Sequence, residues 1–314
     1  SGSGSLNDIR VSPDGRYAVV TFVLSRFHLP TTQVERGWIN ANAMAIIALD
    51  PMQVLDTVLL DAGDRGAANP WGAAWSAEAR SLVVALAGTH EVSVTDFPAL
   101  VEKLNRYQPS PAMAAALALP YGTRGMAAPP ATAAHDLSFL VGLRDRRQLP
   151  DGDLGPRAVV VVGRKAYTAN YFSDTLSVIE LDGTDPKVET LPLGPKPRLS
   201  TARLGELYFN DARLCLQGWQ SCASCHPGDA RVDGLNWDLL NDGVGNPKNT
   251  KSLLLAFATP PAMSLGVRHT AAEAVRAGMR HILFSNQPPE VAEAIDAYLQ
   301  SLTPVPGPHL VRGR

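Results

Sequence analysis

Hydrophobic and polar residues alternate in short runs along the first part of the chain, and turn signals separate these runs. Residues 6–21 contain two such runs, joined by Pro13-Asp14-Gly15. Alternation with a period of two puts successive side chains on opposite faces of a strand, and Pro-Asp-Gly favours a tight turn. The pattern therefore predicts two strands within residues 6–21 and a third at residues 45–50.

The same group of strands is predicted twice more, at residues 70–96 and 155–182. Repeated strand groups of this size are typical of β-propellers, which close with about four to eight blades. Three copies predict an open portion of a propeller. We therefore expect the chain to be a fragment whose remaining blades come from the same polypeptide or from another one.

Two insertions interrupt the repeats, near residues 22–43 and 99–154. The second insertion contains a predicted short helix at 111–120 and an Ala/Pro-rich stretch at 127–131. Insertions of this length are often functional, although plain surface elaboration is the more common interpretation. Histidines in or beside these loops are expected to be solvated or hydrogen-bonded; they are His28, His90 and His135.

Residues 197–303 predict a helical domain that follows a linker, Gly194-Pro195-Lys196-Pro197. The first domain is thus 1–196, and a Pro-rich tail, 304–314, follows the helical domain. Apolar residues at helical spacing predict a first helix at 201–209 and a last helix at 291–302. This pair of helices resembles the first and last helices of class I cytochromes c, and the resemblance implies that they cross, with Gly205 and Phe209 against Tyr298.

The segment Cys222-Ala223-Ser224-Cys225-His226 has the spacing of a c-type haem attachment site. In such a site both thiols bond to the porphyrin and the histidine binds the iron. A Cys-x-x-Cys dithiol, an incomplete zinc site or coincidence are the alternatives. A zinc finger needs a second pair of Cys or His ligands, and the remaining cysteine, Cys215, does not supply one. Cys215 is interpreted as a small buried apolar residue. The sequence predicts one covalent haem c per chain, bound by Cys222, Cys225 and His226.

The predicted crossing of a first and a last helix resembles class I cytochromes c. That resemblance implies a methionine as the second axial ligand, and Met263 stands at a suitable distance in a loop stiffened by Pro260-Pro261. Met263 is therefore the predicted second ligand, although it could also be a core residue. The alternatives are His269, Met279, His281 and an iron that is open or bound to water.

Composition restricts the function classes. The formal net charge is −2, with 45% hydrophobic and 18% charged residues, which argues against a nucleic-acid partner. Apolar runs such as 158–162 are far shorter than the roughly 20 residues of a membrane span. Haem c is attached outside the cytoplasm, so we expect a periplasmic or extracellular protein whose leader has been removed.

Two resemblances to known families rest on specific segments. Residues 12–21 and 173–179 resemble blades of the YVTN-type surface-protein propellers. Four segments resemble the amino-terminal haem lobe of bacterial di-haem cytochrome c peroxidases and the related methylamine-utilisation di-haem enzymes; they are residues 205–214, 221–227, 232–234 and 249–254. The predicted fold class is therefore a multidomain chain, a partial all-β propeller followed by an all-α class I cytochrome c-like domain.

Three functions follow from these patterns. The first is a secreted electron-transfer cytochrome with one haem, ligated by His226 and Met263, that meets a redox partner protein. The second is part of a di-haem peroxidase-like oxidoreductase whose other lobe is absent from this chain. The third is a propeller recognition module with an accessory haem. Since a propeller hosts unrelated functions, the fold cannot choose among them.

Overall fold

A computed structural model describes residues 2–27, 39–107, 133–183, 187–238 and 245–305. Several sequence predictions lie outside these residues. They are His28, the helix at 111–120, the stretch at 127–131 and most of the tail, 306–314.

Three four-stranded antiparallel sheets follow one another along the chain, each with its strands in chain order. The first sheet comprises β1 (Ser3–Val11), β2 (Tyr17–Ser25), β3 (Asn40–Leu49) and β4 (Met52–Leu59). The second comprises β5 (Pro70–Trp75), β6 (Ser81–Leu86), β7 (Glu91–Asp96) and β8 (Arg144–Gln148). The third comprises β9 (Pro156–Val162), β10 (Lys165–Asn170), β11 (Thr175–Glu180) and β12 (Val188–Pro192). The three predicted strand groups are thus confirmed.

The second sheet is buried on both faces because it lies between the other two. One of its faces packs on the first sheet, where Leu82 and Val84 join a core that includes Met44 and Ile46. The opposite face packs on the third sheet through a cluster that contains Val83, Val94, Val159 and Ile179. Strands β5, β6 and β7 therefore consist almost entirely of buried residues, whatever the side-chain direction, whereas the edge strand β8 is mostly not buried.

The first and third sheets each keep one face open. On the third sheet, alternate residues of β9 are exposed, with Val160 at 56% and Val162 at 65% of full exposure. On the first sheet, Ile9 and Val54 are exposed in the same way. Apolar side chains in these positions indicate that the stack of sheets has no cover at either end within the described residues.

The described part of the second insertion begins with α1 (Phe97–Arg106), which packs against the core of the first two sheets. Asp96 caps this helix by accepting a hydrogen bond from the Ala99 N–H. Phe97 packs edge-on against Trp75 at 4.4 Å and against Tyr17 at 5.3 Å between ring centroids. The insertion thus extends the core between the first two sheets.

The rest of the chain holds helices, short turns and a small sheet. The helices are α2 (Thr201–Asn210), α3 (Cys222–Cys225), α4 (Ala271–His281) and α5 (Pro289–Ser301), with a helical turn at Pro227–Ala230. The small sheet pairs β13 (Asn236–Trp237) with β14 (Lys248–Asn249). Single 3-10 turns lie at Ala133–His135, Ala212–Leu214, Leu216–Gly218, Ala256–Ala258 and Ser264–Gly266.

Helices α2 and α5 cross in close contact. A Cβ on Gly205 would overlap the carbonyl group of Ala294 and lie 2.9 Å from Cβ of Tyr298. The rings of Phe209 and Tyr298 are 5.3 Å apart between centroids. The predicted contact of Gly205 and Phe209 with Tyr298 is therefore confirmed.

The predicted fold class is nevertheless wrong. Strands in four sheets dominate the described residues, and the part after residue 196 is not a distinct all-α cytochrome c-like domain. The physical reason is that residues 211–226 form only single helical turns, and backbone groups of these turns pair with loops of the sheets. The Gly66 N–H donates to the Gln217 carbonyl, and the Ala212 N–H donates to the Gly88 carbonyl. The predicted domain limits at 196 and 303 stay predictions.

Candidate functional site

The Cys-x-x-Cys-His segment forms one helical turn, α3. Hydrogen bonds between Ser221 and Ser224 stabilise the start of this turn. The Ser221 N–H donates to the Ser224 Oγ at 3.0 Å, and Ser224 N–H donates back to the Ser221 carbonyl at 3.1 Å. His226 ends the turn, and its N–H donates to the Cys222 carbonyl at 3.0 Å. Cys222 and Cys225 stand three residues apart, which places both on one side of the turn.

The imidazole of His226 is oriented by the backbone. Its Nδ1 lies 3.3 Å from the carbonyl oxygen of Arg231. Burial lowers the pKa of His226, so the ring is neutral at pH 7 and Nδ1–H donates to that carbonyl. The lone pair of Nε2 is then available for a metal, an arrangement that is typical of metal-binding histidines.

The two thiols of the segment have the properties of buried groups. Burial raises the pKa of Cys222 and of Cys225 to about 12. A reactive Cys-x-x-Cys dithiol has a lowered pKa instead, and a zinc site needs further ligands. No group of three or more His, Cys, Asp and Glu side chains that could hold a metal ion occurs among the described residues. The dithiol and zinc alternatives are therefore disfavoured.

Cys215 is buried in the apolar core that Phe209, Trp219 and Tyr298 also form, and Cys222 packs against the same core. Burial raises the pKa of its thiol to about 11. The interpretation of Cys215 as a small buried apolar residue is confirmed.

Three asparagines from the sheets contact the segment 219–225; we call this contact region the junction. Asn69 donates from Nδ2 to the Ser221 Oγ at 2.8 Å and accepts from the Ser224 Oγ at 2.8 Å. Asn40 donates to the Gln220 Oε1 at 2.8 Å and lies 3.4 Å from the Cys225 Sγ. Asn42 donates to the Trp219 carbonyl at 3.1 Å. The three asparagines are buried.

A buried carboxylate, Asp61, supports Asn42 from behind. Asp61 accepts from the N–H and the Nδ2 of Asn42 at 2.6 and 2.8 Å, and from the Ala67 N–H at 2.7 Å. Burial raises the pKa of Asp61 to about 6. Two arginines of β8 hold the same loop, since Arg144 donates to the Leu60 carbonyl and Arg146 to the Gly66 carbonyl at 2.7 Å.

A second carboxylate, Asp211, fixes the other edge of the junction. The Nδ1 of His90 accepts from the Gly155 N–H at 2.8 Å, so its Nε2 carries the proton and faces the Asp211 Oδ1 at 3.4 Å. Arg213 donates to both oxygens of Asp211. Hydrogen bonds from His90 and Arg213 lower the pKa of Asp211 to about 2 despite its burial. His90 is thus hydrogen-bonded as predicted, and so is His135, whose Nδ1 lies 3.1 Å from the Arg26 guanidinium.

The loop that carries Asp61 meets the cysteine segment without space between them. A Cβ on Gly66 would overlap the Cα of Trp219 and lie 2.5 Å from the Gly218 carbonyl oxygen. Glycine at position 66 therefore lets the backbone of the sheets touch the backbone that leads into α3.

Met263 lies in a separate loop. This residue is half-buried and has a left-handed backbone, with φ of 67°. Paired hydrogen bonds between Ala262 and Arg268 close the loop, and the Met263 carbonyl accepts from the Gly266 N–H at 3.3 Å. The hydrogen bonds within the described residues do not join Met263 to His226, and its role as an iron ligand stays a prediction.

The three alternative ligands occupy different surroundings. Met279 is buried in the core of the α2–α5 crossing, as an apolar side chain should be. His269 and His281 are exposed on the surface.

Sequence reasoning missed the residues that the sheets contribute to this site. They are Asn40, Asn42, Asp61 and Asn69. Each stands alone in a strand or loop far from residue 221, so no local spacing marks it. The sequence contains one weak signal of these residues, because they are polar at positions where the alternation predicts buried side chains.

Comparisons with known proteins give two curated relatives, both subunits of one enzyme of Kuenenia stuttgartiensis. The chain is 48% identical to hydrazine synthase subunit gamma over 59 residues, which is 19% of this chain and 17% of that subunit. It is 26% identical to hydrazine synthase subunit beta over 185 residues, which is 56% of this chain and 41% of that subunit. The chain thus spans less than half the length of either relative. No protein-family model matches the chain.

A solved structure of Kuenenia stuttgartiensis hydrazine synthase is also similar. The similarity covers 59% of this chain and 47% of that chain, at 26% identity and a TM-score of 0.47. Within the described residues, none of the helices is long and apolar enough to span a bilayer.

The relatives overturn the predicted family and the predicted functions. The resemblance to YVTN propellers fused to a di-haem peroxidase lobe is wrong as an assignment, because the curated similarity runs to hydrazine synthase subunits. The predicted electron-transfer cytochrome is wrong for the same reason, as are the peroxidase-like oxidoreductase and the recognition module. The spacing of Cys222, Cys225 and His226 predicts a cofactor, whereas the reaction depends on the residues that surround the cofactor. The predicted haem c itself stays a prediction.

Proposed function

We propose that this chain is a component of a multi-subunit enzyme of the hydrazine synthase type and that its junction holds one covalent haem c. The observation that carries the proposal is the similarity of one chain to two different subunits of the same enzyme. Similarity to both subunits is expected when a chain combines parts that work side by side in such a complex. Hydrazine synthesis is the activity named for those relatives, and we extend it to this complex.

The residues of the junction fit a haem. The two cysteines share one side of a single turn, and the backbone already orients His226 through Nδ1. Half-buried apolar residues beside the turn, among them Leu253 and Phe257, belong to the adjacent core and offer apolar contact for a porphyrin. A haem bound there supplies an iron that changes its oxidation state. The chain itself holds the turn and orients the imidazole.

The open faces of the end sheets support an assembly. Apolar side chains are exposed on both outer faces of the stack, including Val11 on the first sheet and Val160 and Leu191 on the third. Exposed apolar faces on sheets favour contact with further polypeptide. We propose that additional propeller blades or a neighbouring subunit cover them. A periplasmic or extracellular location follows from haem attachment, which takes place outside the cytoplasm.

Intact mass of the protein, expressed with haem-attachment machinery, tests the cofactor. We expect one added haem, which Cys222→Ala and Cys225→Ala each reduce. Cys215→Ala is the matched control and should leave the haem content unchanged, since Cys215 lies in the core. An unmodified polypeptide would contradict the proposed cofactor.

Native mass spectrometry and a hydrazine assay test the complex. We expect the chain to purify from its source with partner subunits, and we expect hydrazine formation to be lost when the chain is removed and to return when it is added. A chain that is monomeric in its source, or activity that persists without it, would contradict the proposed function.

A further inference from the structure

Asn69 is fixed from both sheets before it reaches the cysteine turn. Its N–H donates to the Asn42 Oδ1 at 2.9 Å, and its carbonyl accepts from the Ala87 N–H at 3.0 Å. Its φ of 55° lies in the left-handed region, which asparagine tolerates better than most residues. The backbone at residue 69 is therefore held in one place, directly before β5.

The side chain of Asn69 binds the turn at two points. Nδ2 donates to the Ser221 Oγ and Oδ1 accepts from the Ser224 Oγ, both at 2.8 Å. The same Ser224 Oγ accepts from the Ser221 N–H, which closes a ring of hydrogen bonds around the first turn of α3. The three side chains are each at most 6% exposed. Water therefore does not compete with these bonds.

The ring encloses the first attachment cysteine. Cys222 stands between Ser221 and Ser224, and Cys225 follows directly, with its Sγ 3.4 Å from Asn40 Nδ2. Two thioether bonds to one porphyrin and a bond from His226 to its iron require the turn to hold one shape. Hydrogen bonds are directional, so a two-point contact from the sheets fixes both the position and the rotation of this turn.

We propose that Asn69 is a positioning residue for the haem: it sets the geometry of the Cys222–His226 turn and thereby couples the sheets to the iron. This inference rests on the proposed haem site. Asn69 touches neither the cysteines nor the imidazole by a hydrogen bond, so it acts through Ser221 and Ser224.

Asn69→Gly is the test variant, because glycine adopts the left-handed backbone readily and removes the side chain that binds Ser221 and Ser224. Asn170→Gly is the matched control. Asn170 is similarly buried, and its amide binds Thr168, Thr175 and Ser177 in the third sheet, away from the turn. Both variants are expected to lose stability. Only Asn69→Gly should shift the reduction potential and the ferric electron paramagnetic resonance spectrum, which report how the imidazole meets the iron.

Hydrogen exchange gives an independent readout. The Ser224 and His226 amides are bonded within the turn, to the Ser221 and Cys222 carbonyls. Loss of about 1.4 kcal/mol of local stability corresponds to a tenfold change in an opening equilibrium, and we expect these two amides to exchange at least about tenfold faster in Asn69→Gly. Exchange there should stay unchanged in Asn170→Gly. Ser221→Ala, which removes the acceptor of Asn69 Nδ2 and keeps the bond from the Ser221 N–H to the Ser224 Oγ, should give a smaller change and serves if Asn69→Gly does not fold.

The outcomes separate the two proposals. Wild-type protein without haem overturns the proposed cofactor and this inference with it. Wild-type protein that carries haem, with a potential and amide exchange that Asn69→Gly leaves unchanged, overturns only the positioning role.

Discussion

Two contacts of the carboxy-terminal part of the chain contrast with each other. The α2–α5 crossing lies within that part, whereas the junction joins it to the sheets. At the crossing, Gly205 brings the backbones of two helices together and the rings of Phe209 and Tyr298 meet. At the junction, side-chain amides of the sheets donate hydrogen bonds to residues 219–221, and the His90 imidazole faces the Asp211 carboxylate. One contact is apolar and closely packed, whereas the other is polar and buried.

The difference shows a division between stability and position. Apolar contact is non-directional and contributes in proportion to the area it removes from water. Buried hydrogen bonds contribute less net free energy but fix orientation and are costly when one partner is lost. We therefore expect the crossing to hold the folded state and the junction to hold the geometry of the Cys222–His226 turn.

The largest effect is expected from Gly205→Ala. The added methyl group would overlap the Ala294 carbonyl, so the helices must separate. Overpacking of this kind costs about 1–3 kcal/mol and occasionally more, and backbone overlap favours the upper end, about 3 kcal/mol. Urea denaturation measures the free energy of unfolding.

Gly278→Ala is the matched control in α4. No atom lies within 4 Å of a Cβ at Gly278. The same substitution should therefore stabilise the protein by about 0.5–1 kcal/mol through helix propensity. Equal effects of the two substitutions would refute the close packing of the crossing.

The second effect concerns the buried carboxylate Asp61 at the junction. Burial raises its pKa to about 6 in the folded protein, above the ordinary aspartate value of 3.8. The folded state therefore binds the proton more tightly than the unfolded state, and this contribution to stability is present below about pH 4 and lost as the pH rises through about 6. The shift corresponds to about 3 kcal/mol. Between pH 4 and 7, the wild-type protein should lose about that much more stability than Asp61→Asn.

Urea denaturation at both pH values measures this difference. Parallel pH profiles for the wild-type protein and Asp61→Asn would show that Asp61 is not buried as a titrating group.

The third effect has the opposite sign and comes from Asp211. Hydrogen bonds from His90 and Arg213 lower its pKa to about 2 from 3.8. The stabilisation is fully present above about pH 4 and is lost as the pH falls through about 2, and it amounts to about 2 kcal/mol. Asp211→Asn should lower the free energy of unfolding at pH 7 by about that amount and reduce the loss between pH 5 and 2.5. Acid denaturation followed by circular dichroism checks this, and an unchanged acid transition in Asp211→Asn would count against it.

Much of the local structure was predictable because short-range patterns specify it. Alternation identified the three strand groups, and helical spacing identified the first and last helices. The resemblance of these two helices to those of class I cytochromes c identified the contact of Gly205 and Phe209 with Tyr298. The predicted all-α cytochrome c-like domain failed because no local pattern shows that residues 211–226 pair their backbone with loops of the sheets. The helical patterns before and after residues 211–226 predict helices correctly, but they contain no information about the hydrogen bonds that residues 211–226 form with the sheets.

The sequence by itself determined the strands, the principal helices and the identity of Cys222, Cys225 and His226 as one chemical unit, because residues within a few positions of one another specify each of these. Only the tertiary structure decided what surrounds that unit. Asn69 reaches Ser221 across 152 residues of sequence, and Asn40 reaches Gln220 across 180. A lone asparagine in a strand or loop carries no local mark of its partner. Its role depends on the packing of the sheets against the turn, which brings a buried donor and acceptor to the hydroxyl groups that need them.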